Sequence, residues 1–270
     1  MAYEKIRTDT FLNEKVWSEM SALYGENYNK LLKNNPINKV SSEHSYSQNN
    51  EDLVLDGILQ KIGLGTRISV EFGAMDGIKI STTLLFKNKY NFKRILIEGN
   101  PKYKNNTCGE EIIKSIITPD NINLLLDNAK CPNIFDILSI DIDGDDYWVW
   151  KAMTKKARIV YIEYHSAIPN NIPLAIIPNK GTVQSHLSHA PRLNGYYGSN
   201  LSALYRLAIT KGYKFVTTIL DNAIFVLAEE FPKLDIAEIS EEECIKKYFL
   251  ASKYWWDHRD KNNLEWLIVE

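Results

Sequence analysis

Apolar residues return along this chain in two rhythms, and each change of rhythm marks a change of element. Within residues 53–62 they fall at Leu53, Val54, Leu55, Ile58, Leu59 and Ile62, the three- and four-residue spacing of one helix face. Ser47-Gln48-Asn49-Asn50-Glu51-Asp52 precedes them with capping side chains and acids for the first turn, and Gly63 and Gly65 stop the helix. Downstream, short β-rich runs occupy 68–72, 94–97, 112–117, 134–140 and 158–164, with helix-compatible stretches between most of them. Strands separated by helical crossovers predict an α/β fold whose mostly parallel sheet carries helices on both faces. The pattern then gives a helix over 201–211, a strand over 213–219, the turn pair Asp221-Asn222 and a strand over 223–228. Strands joined that tightly are antiparallel neighbours, so the sheet is expected to finish in an antiparallel hairpin.

The flanks read differently. Helical-looking pieces at 11–23 and 28–32 end in the breaker cluster Asn34-Asn35-Pro36, which makes residues 1–44 a helical extension serving as a cap or an oligomer arm. Residues 45–232 form the main domain. Inside it, 166–200 is an irregular stretch rich in Pro, Asn, Gly and His, and a loop of that length in a compact domain is usually a lid or binding loop. Residues 233–270 read as a helical tail whose Tyr254, Trp255, Trp256 and Trp266 suit core or interface packing.

Composition narrows the function classes. A chain of 270 residues with 44% hydrophobic content can bury one sizeable core. Its net charge of -2, with both signs mixed along the chain, offers no basic stripe for nucleic acid. Cys108, Cys131 and Cys244 are widely spaced and odd in number, which argues against a disulfide framework or a thiolate zinc site and fits a reducing cytoplasm. The charged N-terminus lacks the apolar stretch of a signal peptide, and no run approaches the roughly 18 apolar residues of a membrane helix. A soluble protein without membrane insertion is expected.

Four motifs carry candidate chemistry. In Val70-Glu71-Phe72-Gly73-Ala74-Met75-Asp76-Gly77 a strand runs into a glycine turn, where a missing Cβ lets the backbone approach a ligand. A plain strand-to-helix turn would look the same, but Glu98 ends the next strand in Ile97-Glu98-Gly99-Asn100, at roughly the spacing of about 20 residues found in nucleoside-binding units. An acid there can accept both hydroxyls of a ribose, and Glu71 beneath the turn could meet an amino group of the cofactor.

Ser139-Ile140-Asp141-Ile142-Asp143-Gly144-Asp145-Asp146 places acids at the carboxyl end of the fourth β-run, the edge where open α/β sheets bind ligands. Helix-capping duty explains Asp145 and Asp146 but not Asp141. Glu163 and His165, closing the fifth run, point to the same rim. These residues serve either as acid/base groups or, as Asp141, Asp143, Glu163 and His165 together, as ligands of a hard divalent cation such as magnesium or manganese. In the loop beyond, His186, His189, Arg192, Tyr196 and Tyr197 look like an acceptor lid, with Lys180 and Arg192 suited to an anionic group.

At these motifs the sequence resembles the FkbM-type methyltransferases, a branch of the S-adenosylmethionine-dependent class I family. The matching pieces are Ser47 to Asp52, Val70 to Gly77 with Ser81-Thr82-Thr83, Ile97-Glu98-Gly99-Asn100-Pro101, Ser139 to Trp148, Ile159 to His165, and Tyr197-Gly198-Ser199 to Gly212-Tyr213. The resemblance implies a Rossmann-like sheet with a terminal antiparallel hairpin. For the cofactor it implies contacts from Gln48, Glu71, Gly73, Ala74, Asp76, Gly77, Thr82, Glu98, Asn100 and Asp141. Asp141, Asp143 or His165 is the expected base, with Glu163, His165, Arg192, Tyr196 and Tyr197 at the acceptor. Two departures stand out: the turn has fewer glycines than the wider class, and His165 replaces an expected Asn.

The expected activity is methyl transfer from S-adenosylmethionine, with oxygen as the favoured target atom. The acceptor would be a small molecule or a nucleotide- or sugar-linked one, as in surface polysaccharide or natural-product biosynthesis, and a homo-oligomer is among the expected assemblies. An NAD-dependent oxidoreductase would use Glu98 equally well, although its fingerprint has a third glycine and its sheet stays parallel. A non-catalytic nucleotide-binding or assembly module is the remaining alternative.

Overall fold

The computed structural model describes residues 3–22, 44–103, 109–178, 195–248 and 262–270. Its larger sheet has seven strands in the order β4-β3-β2-β5-β6-β9-β8: β2 Ile68–Phe72, β3 Lys93–Glu98, β4 Ile112–Lys114, β5 Ile134–Ile140, β6 Lys156–Glu163, β8 Tyr213–Ile219 and β9 Asn222–Leu227. The first five in that order are parallel, and β9 runs antiparallel between β6 and β8. The chain leaves β2 toward β3 and β4, then crosses back to place β5 on the other side of β2. That reversal opens a crevice at the carboxyl ends of β2 and β5, the place where open sheets of this kind take ligands.

Both faces of the sheet are covered, and strand alternation decides what each strand gives to which face. Val160 and Ile162 of β6 and Phe225 of β9 join one apolar layer with Val149 and Trp150 of the helix Asp146–Ala152 and Leu204 and Leu207 of Leu201–Lys211. Ile159, Tyr161, Ile224 and Val226 face the other way, against Leu55, Ile58, Leu59 and Ile62 of the helix Glu51–Ile62. The helix expected over 53–62 therefore exists and starts two residues earlier.

The flanks depart from expectation. A second sheet, in the order β1-β10-β7, joins β1 Lys5–Arg7 to β10 Glu265–Ile268 and β7 Leu174–Ile176, all antiparallel. The two expected helical extensions thus pair with each other through strands, with Lys5 opposite Leu267. Part of the expected 166–200 loop is a strand as well. Helix does occur near both ends, at 14–22 and Glu241–Lys247, but short polar-flanked strands such as KIR carry too little periodicity to be read alone. Trp266 fastens this sheet to the main core. It is fully buried, its Nε1 donates to Thr8 Oγ1 at 3.0 Å, and its ring meets Phe11, Tyr196 and His165 edge-on. Tyr254, Trp255 and Trp256 lie outside the described residues.

Among the described residues no helix is long and apolar enough to cross a membrane. Cys131 and Cys244 are both free and buried. Because Trp266 joins the terminal sheet to the core, Trp266→Ala should cost about 3–5 kcal/mol of stability. Urea denaturation monitored by far-UV circular dichroism checks this, and a midpoint equal to the wild type would mean that the small sheet is dispensable.

Candidate functional site

The turn after β2 is built by backbone contacts that only glycine permits. Gly73 has φ 72, and a Cβ there would lie 1.8 Å from the carbonyl oxygen of Asp141. The loops following β2 and β5 touch at this point. The N–H groups of Gly73 and Ala74 both donate to Ile97 O, at 3.0 and 3.2 Å, so the turn is tied to β3 on its other side. Gly77, at φ 73, closes the turn by donating to Ala74 O at 2.7 Å.

Two buried glutamates fix the walls. Glu98 accepts from Met75 N–H at 2.7 Å through Oε2 and from Asn100 N–H at 2.6 Å through Oε1, which locks its carboxylate between two loops. Each oxygen keeps a further lone pair for a ligand hydroxyl. Glu71 accepts from Ser81 Oγ at 2.8 Å, from Thr83 Oγ1 at 2.5 Å and from Thr82 N–H at 2.9 Å. Three of its four acceptor positions are thus engaged by the 81–83 segment, and anchoring that segment is its visible duty.

Between these walls lies a cleft of about 340 Å³, within the size range of small-molecule sites. Gln48, Glu71, Gly73, Ala74, Thr82, Glu98, Asn100 and Asp141 line it, as does Asp143. Asp76 and Gly77 do not. Asp76 Oδ1 accepts from the N–H groups of Ile78 and Lys79 at 2.9 and 2.8 Å. Burial pushes its pKa upward, but those backbone donors outweigh it and hold the carboxyl below the usual range. Both residues shape the turn from behind.

The acid-rich segment after β5 divides its labour. Asp146 is buried, accepts from Ile142 N–H and Gly144 N–H at 2.9 Å each, and so holds the loop that carries Asp143. Burial pushes its pKa up to about 6, against the pull of those N–H groups. Asp143 itself sits at φ 54, a left-handed backbone that Asp tolerates better than most residues. Carboxylate oxygens of Asp141, Asp143 and Glu163 lie within 4.8 Å of one another, close enough to share one cation.

His165 is not part of that group. It is buried, with Nε2 2.9 Å from Gly195 O and its ring stacked on Tyr197 at 4.3 Å. Tyr196 donates its hydroxyl to Glu265 O at 2.6 Å and accepts from Ile177 N–H at 2.9 Å, stapling β10 to the end of β7. Neither tyrosine nor His165 lines a described cleft. His165 and Tyr196 both meet the ring of Trp266 edge-on. Arg192, with Lys180, His186 and His189, lies outside the described residues.

A second cleft of about 250 Å³ adjoins the first, sharing Gln48, Ile80, Thr82 and Asp141 with it. It adds Asn49, Glu51, Tyr161, Leu220, Asp221 and Asn222, none of which the motifs had marked as acceptor contacts. The hairpin turn Leu220-Asp221 reaches this rim because Asn222, which opens β9, pairs with Glu163 at the end of β6. Ile80, between the clefts, has φ 50 and is 43% exposed. A β-branched residue in that conformation is strained, and such strain collects at functional sites.

No protein-family model matches the chain, and a search of the curated proteins finds no match.

Gly73→Ala should lower stability by about 1–3 kcal/mol, since it combines a strained φ with a collision against backbone. Gly57→Ala, in a helix interior with open space around the new methyl, should instead stabilise by about 0.5–1 kcal/mol. Thermal melts of the two variants compare these; a Gly73→Ala protein as stable as the wild type would show that the two loops need not touch.

Proposed function

We propose that this protein is an S-adenosylmethionine-dependent methyltransferase acting on a small or saccharide-like acceptor. The observation that carries the reading is the pairing of the Gly73 turn with the locked Glu98 carboxylate in one cleft at the sheet's point of reversal. An adenosyl group needs a close backbone approach and an acceptor pair for its ribose hydroxyls, and these two features supply them. The five parallel strands followed by an antiparallel hairpin support the same reading, being the layout of class I methyltransferases.

When bound, S-adenosylmethionine supplies an electrophilic methyl group on a sulfonium. The residues then have three tasks. Glu98 accepts the ribose hydroxyls through its free lone pairs. Asp141, which lines both clefts, faces the charged methionine portion. Asp143, on the loop braced by Asp146, takes the proton that the acceptor oxygen must lose. Much of the remaining work is alignment of donor and acceptor across the shared wall of Gln48, Thr82 and Asp141.

Calorimetry of the folded protein with S-adenosylhomocysteine and with NAD tests the cofactor directly. S-adenosylhomocysteine should bind and NAD should not; the reverse result would assign an oxidoreductase, and uptake of neither would end the proposal. Glu98→Gln keeps one acceptor and places an amide against a backbone N–H, so it should weaken S-adenosylhomocysteine binding by about tenfold or more.

Once an acceptor is in hand, Asp143→Asn should lower kcat by about 100-fold while changing cofactor affinity little, the expected loss of a general base. Asp141, Asp143 and Glu163 also suit magnesium or manganese, whose bound form would lower the acceptor's pKa instead. Turnover lost on chelation with EDTA and restored by magnesium would assign them to a metal; turnover indifferent to EDTA would assign Asp143 to proton transfer.

A further inference from the structure

The two clefts lie side by side along the strand-end rim, in an order set by the sheet. Glu98 ends β3 and Asp141 follows β5, on either side of the Gly73 turn at β2, so the first cleft runs from the ribose acceptor toward Asp141. The second continues over β6 and β9, from Asp141 to Tyr161 and Asn222. Gln48, Ile80, Thr82 and Asp141 line both. A cofactor held by its ribose at Glu98 would bring its sulfur to that shared wall, and Ile80 is the one apolar residue in it.

The backbone of Ile80 makes this placement informative. Ser81 N–H donates to Ile78 O at 3.4 Å, closing a four-residue turn with Ile80 in third place at φ 50. A left-handed residue in that place is normally glycine or asparagine, because a branched Cβ crowds the following carbonyl. Hydrogen bonds on both sides hold the turn in this shape. Asp76 Oδ1 takes the N–H groups of Ile78 and Lys79, and Glu71 accepts from Ser81 Oγ and Thr82 N–H. Arg94 bridges the two ends, its Nη1 donating to Gly77 O at 2.8 Å and to Ser81 Oγ at 3.2 Å. Core packing does not account for the isoleucine, which is 43% exposed and joins none of the apolar clusters among the described residues. A local rule broken without a packing gain is the mark of a functional position.

Resting on the methyltransferase reading of the first cleft, we infer that Ile80 is a specificity-determining residue, an apolar partition between donor and acceptor that packs against the thioether end of the cofactor and leaves its adenosine end untouched. The sulfur and methylenes of that end are apolar, and covering them with an exposed isoleucine removes both surfaces from water. Gln48, Thr82 and Asp141 give the same wall its polar contacts, so the non-polar stretch between the ribose and the charged amino-acid group falls to Ile80. Because the turn is braced before any ligand arrives, little ordering is left to do on binding.

Calorimetry on the full chain with S-adenosylhomocysteine, with adenosine measured by displacement, tests this alongside thermal melts. Glycine and asparagine both accept a left-handed backbone, so Ile80→Gly and Ile80→Asn should melt no lower than the wild type. Each should nevertheless bind S-adenosylhomocysteine about tenfold more weakly, while adenosine affinity stays within about twofold. Ile80→Val keeps a branched apolar side chain and should hold S-adenosylhomocysteine affinity within about threefold of the wild type. A residue that served the fold alone would move the melting point or both ligands together, whereas a contact at the sulfur end separates them. If one of the two relaxed variants melts lower, the other carries the test. Unchanged S-adenosylhomocysteine affinity, equal losses for the two ligands, or a lower melting point in both variants overturns the inference and leaves the cofactor reading intact. Failure of the wild-type protein to take up S-adenosylhomocysteine, or of adenosine to compete for its place, is a separate result, which overturns the cofactor reading and this inference with it.

Discussion

The closeness of Gly73 to the carbonyl of Asp141 sets the geometry of everything around it. The distance of 1.8 Å from a would-be Cβ to that oxygen leaves no room for a side chain. It lets the turn after β2 and the loop after β5 meet at the place where the strand order reverses. With the loops in contact there, the floor of the first cleft is backbone, and the side chains that matter are displayed from its sides: Glu98 from β3, Gln48 from the segment before the first long helix, and Asp141 and Asp143 from beyond β5.

Carboxylates brace this architecture as often as they face the clefts. Glu71 takes three hydrogen bonds from the 81–83 segment, Asp146 takes two from the loop bearing Asp143, and Asp52 takes those of Ser45, Tyr46 and Ser47 just ahead of Gln48. Each is buried and each is satisfied by donors one short loop away, which makes it affordable in the interior. On the opposite edge of the sheet Arg158 does similar service, bridging Asp136 and Glu230 and accepting no solvent contact of consequence while it donates to the carbonyls of Ile62 and Gly63. Positive φ at non-glycine residues occurs on both rims, at Met75, Ile80 and Asp143 beyond the strand ends and at Arg67, Asn91 and Lys130 ahead of the strand starts.

The two clefts share a wall and differ in character. The first includes Lys79 and Lys102 among its lining residues beside its acids, whereas the second is lined by carboxylates, amides and one tyrosine hydroxyl. Proximity of this kind lets two molecules be held side by side, with Asp141 and Thr82 touching both spaces.

Strong periodicity and turn chemistry made the main sheet legible in the sequence: 68–72, 134–140 and 213–219 are strands with the bounds their alternation predicts, and the turn expected at Asp221-Asn222 falls one residue earlier, at Leu220-Asp221, with Asn222 opening β9. Gly73, Glu98 and Asp141 could be marked as site candidates because the ends of parallel strands are where such sheets bind. What the residues alone did not determine was which equally plausible polar groups face the clefts. His165 and Tyr196 meet the ring of Trp266 and Tyr197 stacks on His165, while Asn49, Tyr161, Asp221 and Asn222 look like turn and core residues and line the second cleft. Local pattern fixes elements because it is written in neighbouring residues. The meeting of β1 with β10, and of the start of β9 with the end of β6, depends on contacts between residues far apart in the chain, which only the packed tertiary structure decides.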